Sequence, residues 1–506
     1  MSATRPSSEL IRVLDLFAGC GGLTEGLHSF EPNDGDGPVF RTVGAVEWNE
    51  AAASTYAANF GAGSRRAASG PGPVVHCGDI TGWLPDSSLG VIDVVVGGPP
   101  CQGFSGLNRE KTGAERNSLW QEFIRVVVAT RPKVFVIENV DRFVRSPEFA
   151  DLRARIGEGD LKDYVLVPPS GNWSGGDEVE EARRLLLNAA DFGALQARRR
   201  AIVIGVRTDA GILPQTFHYP VPTHARPRPG TDTVAALLDA PGLPQWRSAS
   251  EVLGSPSPTQ GVEFPGGRER DLGEPFGTQP GPFRTRELHI TRNPEAVSLA
   301  RYRAIPPEGN RKDLRGRYLC RFEDGSSLII AKSADYRGDE GQLKPFGAYR
   351  VVEAGVASGR SLDVRPSSDQ RVPVSSGSPR SIAEMFRVSV HDGGQVRPAT
   401  IEYLSTPSWD RHDAGSGDVM GRLRLDHPSV TIRTEFFKPE KGRYLHPTED
   451  RPITHYEAAK LQGFPDDFVW HGSKTEIAKQ IGNAVPVPLG RAIAGAIYNY
   501  LRPKGS

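Results

Sequence analysis

One thiol, Cys101, stands inside the stretch GGPPCQGFS at residues 97–105. The apolar run at 91–96 before it predicts a buried parallel strand that ends at a glycine turn. Cys101 would then lie just past the carboxyl end of a strand, where open α/β sheets place their ligands. Pro99 and Pro100 stiffen the backbone before the thiol, because each ring fixes φ. The stretch predicts a rigid arm that presents a nucleophile, with a buried structural cysteine as the alternative.

Acidic residues stand at the ends of three further predicted strands, which are apolar runs at 42–48, 74–80 and 131–137. Glu47, Asp79 and Glu138 occupy these ends. Since ligands bind at the carboxyl edge of such a sheet, we expect all three carboxylates at that edge.

A glycine-rich turn, FAGCGG at 17–22, follows a predicted strand at 11–16 and precedes helical spacing at 23–27. Strand, glycine turn and helix open a nucleotide-binding βα unit. The pattern is not GxGxxG, so it does not favour a pyrophosphate cradle. A carboxylate such as Glu47 after the second strand suits ribose hydroxyls.

Three other features leave two interpretations each. Trp48 could stack on an adenine or pack in the core. Asp79 could accept a hydrogen bond from an adenine amino group or cap the following turn. The string QARRR at 196–200, before a predicted strand at 201–206, suits a phosphate or base carbonyl, or forms a solvated edge.

Composition narrows the class of protein. The 506 residues carry 61 basic and 61 acidic side chains, so any nucleic-acid site must be a local basic surface. The four cysteines form no CxxC pair, which argues against a zinc site or a disulfide framework, and no metal is expected. No apolar run of membrane-spanning length occurs, so we expect a soluble, cytoplasmic protein without membrane contact.

Eight strings in one order resemble the motifs of the DNA cytosine-5 methyltransferases. They cover about 11–206 and 422–496 of the chain. Six are FAGCGG, EWN, GDI, GGPPCQGFS, ENV and QARRR; the last two are RPIT with LQGFPDDF at 451–468 and QIGNAVPVPL at 480–489. Because eight matches in order are specific, the resemblance outweighs the structural-cysteine interpretation of Cys101.

The resemblance implies an α/β fold, with a Rossmann-like methyltransferase domain on a mixed, mostly parallel sheet. A smaller, irregular, β-rich target-recognition domain accompanies it. We expect the catalytic domain at 1–206 and the target-recognition domain at 207–450, with a β-rich insertion at about 320–410. Residues 451–506 would return to the catalytic domain.

The same resemblance implies catalytic roles for Cys101, Pro100, Glu138 and Arg198. The Cys101 thiolate would add to cytosine C6, which makes C5 nucleophilic toward S-adenosylmethionine. Glu138 would protonate or hydrogen-bond N3 of the base, and Arg198 would hold the O2 carbonyl. Arg200 is expected to support the site through an ion pair within the fold. A polar loop at 103–117 would close over the flipped base.

Cofactor contacts carry over by resemblance as well. Glu47 would bind the ribose, Trp48 would stack, and Asp79 with Ile80 would read the adenine. The remaining residues of the predicted pocket are Phe17, Gly19, Gly21, Leu119 and Asn483. Two departures from the family pattern stand outside this chemistry, Leu195 in place of Pro and Tyr456 in place of Arg.

The implied function is methylation of C5 of cytosine in a specific duplex DNA site, by a monomer. In a bacterial setting it would protect host DNA beside a cognate restriction endonuclease, or serve phage defence. Two alternatives are a tRNA cytosine-5 methyltransferase and an inactive DNA-binding regulator. Arginines of the middle region are candidate guanine or phosphate contacts, namely Arg284, Arg286, Arg311, Arg315 and Arg317.

Overall fold

The computed structural model describes residues 10–32, 37–62, 64, 72–100, 119–169, 178–227, 242–255, 261–332, 347–371, 385–411 and 418–503. Cys101 and the predicted closing loop at 103–117 lie outside the described residues. No helix within these ranges is both long and apolar enough to span a bilayer.

The strands of the described chain are numbered in chain order. They are β1 Ile11–Leu16, β2 Phe40–Glu47, β3 Val74–Cys77, β4 Val94–Gly97, β5 Val134–Asn139, β6 Tyr164–Leu166, β7 Leu186–Asn188, β8 Gln196–Ala197, β9 Arg199–Arg207, β10 Glu269–Asp271, β11 Thr278–Pro280, β12 Phe283–Arg284, β13 Arg317–Phe322, β14 Ser327–Lys332, β15 Gly347–Glu353, β16 Val356–Arg371, β17 Met385–Asp392, β18 Gln395–Tyr403, β19 Ser429–Val430 and β20 Val469–Trp470.

The helices follow the same convention. They are α1 Gly22–His28, α2 Glu50–Phe60, α3 Leu119–Thr130, α4 Pro147–Arg155, α5 Glu178–Arg184, α6 Ser250–Leu253, α7 Ala296–Ala304, α8 Pro407–Arg411, α9 His455–Gln462, α10 Lys474–Asn483 and α11 Val487–Leu501.

A mixed sheet with the order β3-β2-β1-β4-β5-β9-β6 forms the first layer of the fold, and β7 pairs with β9 beside it. The first five strands run parallel, whereas β9 is antiparallel to both β5 and β6. Buried Val, Ile, Leu and Phe side chains cover both faces, as a sheet between helices requires. The predicted Rossmann-like architecture is confirmed.

The C-terminal helix α11 packs on α1 at the opposite end of the chain. A Cβ built on Gly26 would lie 2.6 Å from the backbone of Gly490, so the two helices touch through glycine. Leu489, Ile493 and Ile497 of α11 join the core of the sheet. The last helix of the described chain therefore packs against the first sheet and its first helix.

The β-rich insertion is a closed antiparallel barrel of β13 to β18. β13 pairs with β18 from Tyr318↔Tyr403 to Phe322↔Ala399, which closes the ring. Inward side chains such as Tyr349, Val364 and Val388 fill the interior. We expected only short strands between turns, so the closure into a barrel is a finding of the structure.

One side of the barrel packs on the rest of the chain. Leu319, Ile329 and Val352 point outward and join a second apolar cluster with Tyr302 of α7 and Leu445. Because three strands contribute to this contact, the barrel is held to α7 by a continuous apolar surface.

Several predicted strands differ in extent from the observed ones, among them β4 and β3. β4 begins at Val94, and Val91 is 73% exposed, because Asp93 turns to accept a hydrogen bond from the N–H of Arg12. β3 ends at Cys77, since Gly78 has a φ of +157° and Asp79 enters a turn. The predicted bounds of β1 and β14 agree with those observed.

Candidate active site

The backbone that leads to Cys101 is fixed by the end of β5. The Nδ2 group of Asn139 donates a hydrogen bond to the carbonyl of Pro99 at 2.9 Å. A Cβ built on Gly98 would lie 2.9 Å from Oε2 of Glu138, so only glycine lets the carboxyl group approach this closely. The acid and the proline arm therefore meet at the carboxyl edge of β4 and β5. Pro100 is the last described residue of the arm.

Glu138 pairs with Arg200 at this edge. The Nε atom of Arg200 lies 2.9 Å from Oε1 of Glu138, and both side chains are largely buried. Nη1 of Arg200 donates a hydrogen bond to the carbonyl of Arg199 at 2.7 Å, which holds the guanidinium in place. One oxygen of the Glu138 carboxyl group therefore pairs with the Arg200 guanidinium, and the other faces Gly98.

Arg198, the predicted holder of the base carbonyl, is buried two residues before Arg200. Its side chain is 1% exposed, and its Nη1 donates to the carbonyl of Ile432 at 2.8 Å. Nη2 reaches the carbonyl of Asn483 at 3.5 Å. Burial, reinforced by the neighbouring charge of Arg200, lowers the pKa of Arg198 to about 9. Two nitrogens of Arg198 therefore hold backbone carbonyls, whereas its buried Nε has no hydrogen-bond partner among the described residues.

Arg198 belongs to a junction between distant parts of the chain. β8, just before it, pairs with β19 in parallel. Oε1 of Gln196 accepts from the N–H of Ile432, and Nε2 of Gln196 donates to Oε1 of Gln462. The junction therefore ties the start of β9 to the segment 429–432 and to α9.

The glycine turn after β1 is joined to β2 by Glu47. Oε2 of Glu47 accepts from the N–H of Gly19, and Oε1 accepts from the N–H of Asn49, each at 2.8 Å. Burial raises the pKa of Glu47, and the hydrogen bonds from these backbone groups oppose the shift. Phe17 and Gly19 both have positive φ, and the space beside the α-carbon of Gly19 is open.

The remaining predicted cofactor residues surround this turn. Trp48 is 73% exposed, so the core-packing interpretation is wrong. Asp79 accepts a hydrogen bond from the N–H of Thr81, which lowers the pKa of the carboxyl group and makes it a cap of the turn. Ile80 is buried, and Leu119 is half-buried at the start of α3.

The last motif of the chain lies under the glycine turn. A Cβ built on Gly22 would lie 2.8 Å from the carbonyl oxygen of Val485, and one on Gly21 would collide with the ring of Phe60. The thiol of Cys20 points at the carbonyl of Gln480 at 3.6 Å. Asn483 ends α10 with an exposed side chain next to this contact.

A buried polar network that the sequence did not lead us to expect lies below the turn. Thr24 Oγ1 donates a hydrogen bond to Oδ2 of Asp15 at 2.6 Å and also lies 2.8 Å from the hydroxyl of Tyr56. Burial raises the pKa of Asp15 to about 7, and the nearby charge of Glu47 adds to the shift. An acid inside the apolar strand IRVLDL was the available signal.

The candidate DNA-contacting arginines fall into two groups. Arg311 and Arg315 donate to the carbonyls of Trp409 and Asp410, and Arg317 donates to those of Ala304 and Gly355. These three donate to backbone carbonyls of the fold, although Arg315 is also exposed. Arg284 and Arg286 are exposed too.

The sequence matches a protein-family model described as C-5 cytosine-specific DNA methylase over residues 11–252 and 375–499. The unmatched residues between these segments include β13 to β16, four of the six barrel strands.

Two curated relatives and one solved structure illustrate the similarity. DNA (cytosine-5)-methyltransferase 1 of Gallus gallus is 27% identical over 96% of this chain, and the chain spans only 29% of that relative's length. Type II methyltransferase M.AgeI of Thalassovita gelatinovora is 28% identical over 96% of this chain and 99% of its own. A structure described as a DNA modification methyltransferase encoded within an E. coli prophage aligns over 97% of this chain and 99% of its own, with 19% identity and a TM-score of 0.48.

Proposed function

The chain belongs to the C-5 cytosine-specific DNA methylase family, and from this premise we propose that it transfers a methyl group from S-adenosylmethionine to C5 of cytosine in duplex DNA. The observation that carries the proposal is the meeting of Glu138, Arg200 and the Gly98–Pro100 arm at one sheet edge. The arm continues directly into Cys101, the nucleophile that the chemistry requires.

In the proposed reaction, the Cys101 thiolate forms a bond to C6 of a flipped cytosine, while Glu138 donates a hydrogen bond or proton to N3. The electron pair gained by the ring makes C5 nucleophilic toward the methyl group that S-adenosylmethionine would supply when bound, with the S–CH3 bond broken and S-adenosylhomocysteine as the leaving group. After C5 is methylated, its proton leaves to a base and the C6–S bond breaks to release the thiolate. Each atom added to the ring other than the methyl group is thus returned.

We assign the base-contacting arginine role to Arg200 in place of Arg198. Arg200 already holds Oε1 of Glu138, so a base on that acid would bring its O2 carbonyl toward the same guanidinium. Arg198 acts in this proposal as a positioning residue, because it fixes the start of β9 to Ile432.

The turn after β1 fits the cofactor. Open space beside Gly19 admits the methionine part, Glu47 suits the ribose, and the exposed ring of Trp48 offers a stacking surface. Phe17, Ile80 and Leu119 would supply apolar contacts, with Asn483 at the far side.

Two relatives from bacteria are type II methyltransferases, M.AgeI and M.XorII. By this likeness we extend the proposal to the protection of DNA in a restriction-modification or phage-defence setting. The barrel, with its neighbours in 207–450, would then read the target site.

The test is covalent trapping on a duplex that contains 5-fluorocytosine, with cofactor present. Fluorine at C5 blocks the final proton loss, so the wild type should form an adduct and Cys101→Ser should not. In parallel, transfer of labelled methyl groups to duplex DNA and to tRNA is compared. Transfer to tRNA alone would support the tRNA alternative, and transfer to neither would support an inactive DNA-binding protein.

A further inference from the structure

Two adjacent arginines at the start of β9 take different partners. Arg200 turns toward Glu138 in the interior, whereas the Nε of Arg199 lies 3.4 Å from Oδ2 of Asp141 at the surface. The side chains of Arg199 and Asp141 are 56% and 42% exposed. The outer pair therefore borders the candidate active site on its solvent side.

In the outer pair, the ion pair of Arg199 and Asp141, another anion can readily replace the carboxylate. Asp141 stands two residues beyond the end of β5, and an exposed ion pair of this kind contributes little to stability because water screens both charges. An anion that reaches Arg199 has little to displace. By contrast, Arg131 at the amino end of the sheet is held by both Asp163 and Asp209, at 2.9 and 2.7 Å.

Further cations follow Asp141 in the chain. Arg142 and Arg145 are both exposed, and they stand one and four residues beyond Asp141 in the chain. Together with Arg199 they are exposed cations near Asp141 in the described part of the chain. Such a surface attracts a polyanion locally although the whole chain has no net charge.

We propose that Arg199 binds a phosphodiester group of the strand that carries the target cytosine, and that Asp141 holds the arginine in position until DNA arrives. The inference rests on the proposed function, because a base turned toward Glu138 brings its own backbone to this edge. A guanidinium matches two phosphate oxygens in its plane, which favours arginine at such a contact. Asp141 would release Arg199 as the phosphate takes its place.

The experiment measures binding of a fluorescent duplex, taken from a methylation site mapped by bisulfite sequencing, over a series of salt concentrations. One phosphate contact contributes about 0.9 to the slope of log K against log salt. Arg199→Gln should make this negative slope shallower by about that amount and weaken binding about tenfold at low salt. Arg131→Gln, which removes the same charge at the opposite edge of the sheet, should leave the slope unchanged.

Asp141→Asn should not weaken DNA binding, because it removes the carboxylate that competes with the phosphate for Arg199. Its binding should equal or exceed that of the wild type, with the slope retained. A wild-type slope for Arg199→Gln, or tenfold weaker binding by Asp141→Asn, would overturn the inference. If the wild type still methylated the duplex in those cases, the proposed function would stand. A wild type that bound no duplex would overturn both.

Discussion

Arg200 and Glu138 form an ion pair at the carboxyl edge of β5, with 2.9 Å between Nε and Oε1. Both groups have left most of their water, and only close contact can offset the loss of hydration. The pair fixes the direction of the carboxyl group, since its second oxygen then faces Gly98. An acid oriented in this way stands ready for a base beside the proline arm.

Replacing Arg200 with Gln should reduce methyl transfer about 100-fold or more at saturating DNA and cofactor. The physical reason is the loss of a fixed cation where negative charge develops on the base. Binding of S-adenosylmethionine should change little, because Glu47 and the glycine turn lie on other strands. Single-turnover kinetics and calorimetry measure the two effects separately.

Arg198→Gln is the matched comparison, two residues away. It leaves the carbonyl of Ile432 without its buried donor, so the free energy of unfolding should fall by about 1–3 kcal/mol. Methyl transfer by the two variants, measured at a temperature where both are folded, tests the assignment. If Arg198→Gln lost methyl transfer about 100-fold while Arg200→Gln kept it, the roles of the two arginines would be exchanged.

Gly98→Ala tests how closely the arm must approach the acid. The new Cβ would lie 2.9 Å from Oε2 of Glu138, so the carboxyl group must move by a few tenths of an ångström. We expect the turnover number to fall about tenfold or more with little change in stability, since small displacements of reacting groups are costly. Gly266→Ala, in open space without positive φ, is the control, and equal activity in both variants would contradict the prediction.

The sequence predicted most of the sheet because its strands are local apolar runs. β1 and β14 kept their predicted bounds for this reason. The burial of Arg198 against backbone carbonyls was not predictable from alternation, because Arg198 lies between β8 and β9 and belongs to neither strand. Closure of the barrel depends on pairing between β13 and β18, which lie far apart in the chain and leave no local signal.

Trp48→Ala should weaken cofactor binding about three- to tenfold, because alanine lacks the exposed ring that would stack on the cofactor. Stability should stay nearly constant, since the ring has few packing partners to lose. Trp48→Phe should recover part of the affinity. Val91→Ala, also at a residue 73% exposed but at the amino end of β4, is the control in calorimetric titration. Wild-type affinity in Trp48→Ala would rule out the stacking role.

Asp15 makes the stability of the protein depend on pH. Burial raises its pKa from 3.8 to about 7, so the folded chain holds the proton more tightly than the unfolded chain does. The contribution of Asp15 to the free energy of unfolding is therefore fully present below about pH 4 and is lost as the pH rises to about 7. The loss is at most about 4 kcal/mol, and it does not grow above pH 7.

Asp15→Asn removes this dependence, because the amide cannot ionise and can still accept from Thr24. The melting temperature of the variant minus that of the wild type should rise between pH 4 and 7 and then level off. Asp209→Asn, an exposed acid paired with Arg131, should show no such rise. A constant difference across this range in Asp15→Asn would mean that the buried acid is already ionised in the folded protein at pH 4, with the Thr24 hydroxyl and its neighbours sufficient to hold the charge.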